Sequence, residues 1–82
     1  MQSYDLRVVI ADDEPITKMD LAEILTGVGY KIAAEASDGF DAVEACRKHH
    51  PDLVLLDIKM PFLDGLSAAK IIAEENLSLI HI

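Results

Sequence analysis

The stretch "LVLLDIKMP", Leu53 to Pro61, opens as an unbroken apolar run and then breaks on an acid. Branched apolar residues without alternation describe a β-strand covered on both faces, the habit of parallel sheets packed between helices. In such sheets the carboxyl ends of the strands open into the crevice where ligands bind, which puts Asp57 at the functional edge. Pro61, with its fixed φ and no N–H, ends the strand and biases Met60 towards extended backbone. On this segment alone, an Asp that merely closes a turn accounts for the acid about as well as a functional one.

Working outward from that strand, "LRVVIA" (Leu6–Ala11) is a similar run, and it too meets acids in "DDEP" (Asp12–Pro15). Pro15 suits the first turn of a helix, and Thr17, Leu21, Ile24, Leu25 and Val28 recur at helical spacing until Gly27 and Gly29 stop the pattern. "YKIAAEA" (Tyr30–Ala36) alternates as a strand nearer the sheet edge, and "SDG" (Ser37–Gly39) turns into a second helix with Phe40, Val43 and Cys46 as its stripe. Arg47, Lys48, His49 and His50 suit the negative end of that helix dipole before Pro51 forbids continuation. After the strand from Asp52 to Asp57, Gly65 opens a third helix whose Leu66, Ala69 and Ile72 face one way and Lys70, Glu74 and Glu75 another. The order β-α-β-α-β-α implies parallel strands, right-handed crossovers and helices on both faces of the sheet. With strands one and three as neighbours, in the order 2-1-3 of a flavodoxin-like sheet, Asp12, Asp13 and Asp57 converge at the switch point.

At 82 residues the chain is one domain at most, burying about 60% of its unfolded surface. A 51% hydrophobic and 27% charged composition fits a soluble α/β globule and argues against disorder. No apolar run approaches the roughly 20 residues needed to span a membrane, and no signal peptide opens the chain. A net charge of -8 disfavours direct contact with nucleic acid. The single Cys46 cannot form an internal disulfide and reads as a small core residue; a cytoplasmic location is the simplest expectation.

Carboxylates a few ångströms apart raise one another's pKa or recruit a cation, and an oxygen-only set favours Mg²⁺ with waters and phosphate oxygens completing its octahedron. Such a cluster is suited to holding a phosphoryl group beside an acid. A carboxylate so placed can attack phosphorus and form an aspartyl phosphate. Asp57 stands alone at its strand end and is the natural nucleophile, whereas the adjacent Asp12 and Asp13 are better used as metal ligands.

"VVIADDEP" and, about forty residues later, "PDLVLLDIKMPFLDGL" together resemble the receiver domain of two-component response regulators, over about Arg7 to Asn76. The resemblance implies a (βα)5 flavodoxin-like fold, truncated here to about (βα)3 plus a short final strand. It implies Asp57 as phosphoacceptor, Asp13 as a direct Mg²⁺ ligand, Asp12 as a ligand acting largely through water, and the backbone carbonyl of Lys59 as a third contact. It further implies a signalling domain that catalyses only its own phosphorylation, with a sensor histidine kinase as partner and room for a homodimer of the full-length protein. Finer texture in "ADDEPITKMDLAEIL" and in Glu35 to Ile72 is similar to receivers of antiterminator regulators, whose output is a small helical RNA-binding domain of the ANTAR type. Any RNA contact would then belong to an output domain absent from this chain.

The chain departs from that family at its end. Receivers carry a Ser or Thr after strand four and a Lys after strand five, and neither position exists here. "LSLIHI" (Leu77–Ile82) is what one frame of a transposon-end adapter would encode, so residues 77–82 are read as a non-native tail on a partial receiver of residues 7–76. Strand three still needs a far-side neighbour, and Leu79 to Ile82 is expected to serve as a short parallel strand there. With an intact margin of only about 5 to 15 kcal/mol, the isolated chain is expected to be aggregation-prone or molten.

Blander and rival readings make different demands. Asp12 and Asp13 could cap the helix at Pro15, with or without a metal role. His49 and His50 are adjacent on a helix end and point apart, which suits solvated residues better than a metal site. Glu14 reads as a rim residue of the acid crevice. An aspartyl-nucleophile phosphohydrolase would want a second Asp two residues after the first, where Lys59 stands. A nucleotide binder would want a Ser/Thr/Gly-rich loop where "DDEP" stands. A receiver-like interaction module unable to accept phosphate is the remaining alternative, and the intact acid set argues against it.

Overall fold

A computed structural model of the chain describes residues 6–57, 60, 63–75 and 79–81. Among these, strands and helices alternate strictly: β1 (Arg7–Ala11), α1 (Pro15–Gly27), β2 (Lys31–Ala36), α2 (Gly39–His49), β3 (Leu53–Leu56), α3 (Gly65–Glu74) and β4 (Leu79–His81). The strands form one parallel sheet in the order β2-β1-β3-β4, so the expected 2-1-3 order holds and a short strand extends it beyond β3. That strand pairs Leu53 with Leu79 and Leu55 with His81, as the need of β3 for a far-side neighbour requires; Ile82 lies outside the described residues.

The order of strands fixes where the helices go. From β1 the chain moves outward to β2, then back across β1 to β3 and on to β4. Right-handed crossovers therefore place α1 on one face and both α2 and α3 on the other. The core agrees: Val9, Ala11, Val54 and Leu56 pack with Ala42, Val43, Cys46, Ala68 and Ile72 of α2 and α3. Val8 and Ile10, fully buried on the opposite side of β1, lie on the face that α1 covers.

Caps mark the helix starts. The Asp38 side chain accepts from the Asp41 amide at 2.8 Å, and Asp64 accepts from the Ser67 amide at 2.8 Å. α1 instead starts from Glu14 with no side-chain cap bond, and Pro15 leaves one fewer amide to satisfy. At the amino end of the sheet Arg7 ties β1 to the α2–β3 turn: its amide donates to Asp52 Oδ2 at 2.8 Å and its Nη1 to the His49 carbonyl at 2.6 Å.

Three helical stripes differ from the periodic reading. Ile24 is 64% exposed and Val28 also faces outward, Phe40 is 58% exposed, and Leu66 is 56% exposed. Helical spacing identifies a helix but leaves its rotation to what it packs against. α2 and α3 lie side by side on one sheet face, so small residues take the close contacts: α2 buries Gly39, Ala42, Val43 and Cys46, and α3 buries Gly65, Ala68 and Ile72. Cys46 is fully buried, as its position three residues after Val43 suggests. No helix among the described residues is long and apolar enough to cross a membrane.

Candidate metal centre

The site forms where two neighbouring strands end together. Ala11 pairs with Leu56, so Asp12 and Asp57 follow at the same level of the sheet. The ladder continues past the strands: the Asp57 amide donates to the Ala11 carbonyl at 2.9 Å and the Asp12 amide to the Ala36 carbonyl at 3.0 Å. Both backbones are thus held by the sheet, and their side chains project from fixed points.

Asp12, Asp13 and Asp57 each present one carboxylate oxygen within 4.8 Å of the others. Asp12 and Asp57 are half-buried and Asp13 is exposed. The convergence expected from 2-1-3 order is therefore present. Asp12 Oδ1 also accepts from the Glu14 amide at 2.9 Å, a turn that orients it. The bland capping alternative is not met at α1, where the residue at the helix cap is Glu14 and neither Asp12 nor Asp13 caps the helix.

A cleft of about 430 Å³ adjoins the carboxylates, lined by Ala11, Asp12, Glu14, Leu21, Leu55, Leu56 and Asp57. Glu14 sits at its rim, as expected, and Leu21 and Leu55 give it apolar walls that periodicity alone does not assign to a site. Lys59 and Pro61 lie outside the described residues, while Met60 is buried in the core.

The donor chemistry suits a hard divalent cation. Three carboxylates this close repel one another in a cleft with apolar walls, and a bound Mg²⁺ would relieve that repulsion while keeping waters or phosphate oxygens in its remaining positions. Two further contacts around the site escaped the sequence reading. Lys18 Nζ on α1 donates to Ser37 Oγ at 2.6 Å, and the start of α2 meets the backbone at Leu63. Their partners are far apart in the chain, so no local pattern announces them.

Comparison with known proteins agrees with this geometry. Residues 8–82 match the family described as the response regulator receiver domain. The transcriptional regulatory protein PdtaR of Mycobacterium tuberculosis (strain ATCC 25618 / H37Rv) is 51% identical over 72 residues, covering 88% of this chain and 35% of that protein. The response regulator domain of Thermotoga maritima CheB superposes with a TM-score of 0.89 at 32% identity, covering 94% of this chain and 58% of that one. The CheX-CheY-BeF3-Mg complex of Borrelia burgdorferi gives a TM-score of 0.84 at 33% identity, covering 92% of this chain and 58% of that one. The chain thus spans about a third of PdtaR and just over half of these solved chains. With the fold, the paired strand ends and the acid cluster in agreement, the chain belongs to the response regulator receiver domain family.

Proposed function

We propose that this receiver accepts a phosphoryl group on Asp57 from a phosphohistidine of a sensor kinase, with Mg²⁺ held by Asp12, Asp13 and Asp57. The observation that carries the reading is the meeting of these three carboxylates at the ends of β1 and β3. The Borrelia relative solved with BeF3 and Mg supports it. By family resemblance the backbone carbonyl of Lys59 adds a further ligand.

In this reading an Asp57 carboxylate oxygen attacks phosphorus, the P–N bond to the donor imidazole breaks, and the imidazole leaves with the bonding pair and takes up a proton. Bound Mg²⁺ would supply charge compensation for the phosphoryl oxygens. Asp12 and Asp13 would hold the cation, and the ladder bond from the Asp57 amide to Ala11 fixes the backbone from which the attacking carboxylate projects. The domain is a signalling module that catalyses its own modification. Its location is cytoplasmic, and the full-length protein acts through an output domain, with homodimerisation open to it. Identity to a transcriptional regulatory protein and the antiterminator-like texture of the sequence favour an RNA-binding output that promotes antitermination.

The test uses the full-length protein, Mg²⁺ and an acyl phosphate donor. Phosphate should appear on the parent and fall to background in Asp57→Asn; equal incorporation in the two would overturn the assignment.

A further inference from the structure

Lys18 stands in the first turn of α1, half-buried, and its Nζ donates to Ser37 Oγ at 2.6 Å. Among the described residues the ammonium is hydrogen-bonded to this hydroxyl and to no carboxylate, although Asp12, Asp13 and Glu14 lie just before it in the chain.

The bond closes a loop around one of the three acids. Ala11 pairs with Ala36, the Asp12 amide donates to the Ala36 carbonyl at 3.0 Å, and Ser37 is the next residue along. Two adjacent residues thus hold both ends of the segment from Asp12 to Lys18, and Asp13 lies inside it. Their own footing is firm, because Ala36 is 3% exposed and Asp38 caps α2.

Asp13 depends on that bracket more than its partners do. The amides of Asp12 and Asp57 belong to the sheet ladder, whereas among the described residues Asp13 takes part in no hydrogen bond. The turn that Asp12 Oδ1 closes on the Glu14 amide gives Asp13 its local shape. Its far end is Glu14, whose carbonyl accepts the Lys18 amide at 3.1 Å, so Asp13 follows wherever the first turn of α1 sits. α1 itself buries no residue fully, and Lys18–Ser37 is its one side-chain hydrogen bond to another element among the described residues.

We propose that Lys18 is a positioning residue for Asp13, its bond to Ser37 holding the first turn of α1 so that the Asp13 carboxylate stays beside those of Asp12 and Asp57. This rests on the reading of those three carboxylates as a Mg²⁺ site. Partners that hold a ligating group in place are worth about 10- to 100-fold in metal affinity, and displacements near 1 Å are enough to matter. The charge of Lys18 has the opposite effect, since a cation near the cluster repels a second one. Removing the amine therefore tightens Mg²⁺ binding if only charge counts, and weakens it if the bond positions Asp13.

The experiment titrates the full-length protein with Mg²⁺ alone, with no phosphodonor, and follows the ¹H–¹⁵N shifts of the Asp13 and Asp57 amides. Lys18→Met, which keeps the aliphatic stem and loses the amine, should bind on the order of tenfold more weakly than the parent. Ser37→Ala, which leaves the charge in place, should show a similar loss, and Ser37→Thr, which keeps a hydroxyl, the parent's affinity. The double variant Lys18→Met/Ser37→Ala should be no weaker than the weaker single one, since both remove the same bond. Unchanged or tighter binding by Lys18→Met, parent-like binding by Ser37→Ala, equal losses in Ser37→Ala and Ser37→Thr, or losses that add in the double variant would overturn the proposal. So would a lowered melting temperature at parent-like affinity, which would leave the bond a role in the fold alone. A parent that does not bind Mg²⁺ removes the site reading itself, and this inference with it.

Discussion

The Asp57 amide donates to the Ala11 carbonyl at 2.9 Å, one residue beyond the last pair that β1 and β3 share. The nucleophile proposed here is therefore attached to the central ladder. Functional groups need placement to within about 0.5 Å, and rigid elements supply it better than loops do. Asp12 is fixed in the same way through Ala36, so the two half-buried carboxylates are set by strand pairing.

Removing one charge from the cluster should separate metal binding from stability. Asp13→Asn is expected to weaken Mg²⁺ binding by at least about tenfold, and Asp12→Asn by less, because the Asp12 carboxylate is already engaged by the Glu14 amide. In metal-free buffer both variants should melt above the parent, since each relieves like-charge repulsion. Paired Mg²⁺ titrations and thermal melts in EDTA check both halves; a lower melting temperature without metal would contradict the repulsion argument.

Much of this site was legible because two apolar runs each end on acids, and the alternation of elements leaves few ways to arrange the strands. The pull of β3 for a neighbour likewise made β4 foreseeable. Helix rotation was not. Phe40 and Leu66 look like core residues by spacing, yet Gly39 and Gly65 one position earlier are buried, because closely packed helices select small residues. The Lys18–Ser37 bond and the Gly39–Leu63 approach join residues from different elements and appear only once the fold brings those elements together.

Arg47 of α2 grips Glu75 at the end of α3, its Nε and Nη2 donating at 2.9 and 2.6 Å, while its Nη1 donates to Glu44. The hydrogen bonds from Arg47 hold the Glu75 carboxyl below its ordinary value of 4.5. A depressed folded value means that the contribution is complete above the unfolded pKa and is lost as pH falls through the folded one. The ends are exposed, so the effect is small. The melting-temperature gap between parent and Glu75→Gln should be slight at pH 7 and close as the solution is acidified; a gap that widens in acid would refute the pairing.

Burial pushes the Cys46 thiol from 9.0 up to about 11. Between those values the folded chain keeps a proton that the unfolded chain gives up, so stability should decline as pH rises across that window. Native protein should also resist iodoacetamide and react only once unfolded, because the thiol is both protonated and enclosed. Alkylation followed by mass, with and without denaturant, decides the point; rapid labelling of the native protein would show Cys46 to be accessible.

His50 ends α2 in the left-handed region, at φ 47 and ψ 59, immediately before Pro51. A Cβ is disfavoured there and Gly is the residue such a cap prefers. Gly gains from relief of that strain and loses from a freer unfolded chain. The net for His50→Gly should be stabilisation by about 0.5 kcal/mol. Denaturant unfolding of His50→Gly and His50→Ala separates the backbone effect from loss of the imidazole, since only the first should gain.

The last expectation concerns residues 1–82 expressed alone. α1 packs on β1 and β2, whereas Leu53 and Leu55, which alternate with the buried Val54 and Leu56, point to the α1 side of β3 and are only half-buried. Leu55 lines the open cleft with Leu21, and Ile16 and Met19 on α1 are 71% and 65% exposed. An apolar sheet face covered over part of its width loses burial worth roughly 25 cal/mol per Å², against a whole-domain margin of only about 5 to 15 kcal/mol. The polypeptide should therefore keep helical and sheet signals in the far ultraviolet, bind an apolar dye such as ANS, and melt over a broad range. It should also tend to associate through that face. Sedimentation, dye binding and calorimetry measure each of these. A sharp calorimetric transition from a monomer that binds no dye would show that α1 and the strands seal the face after all.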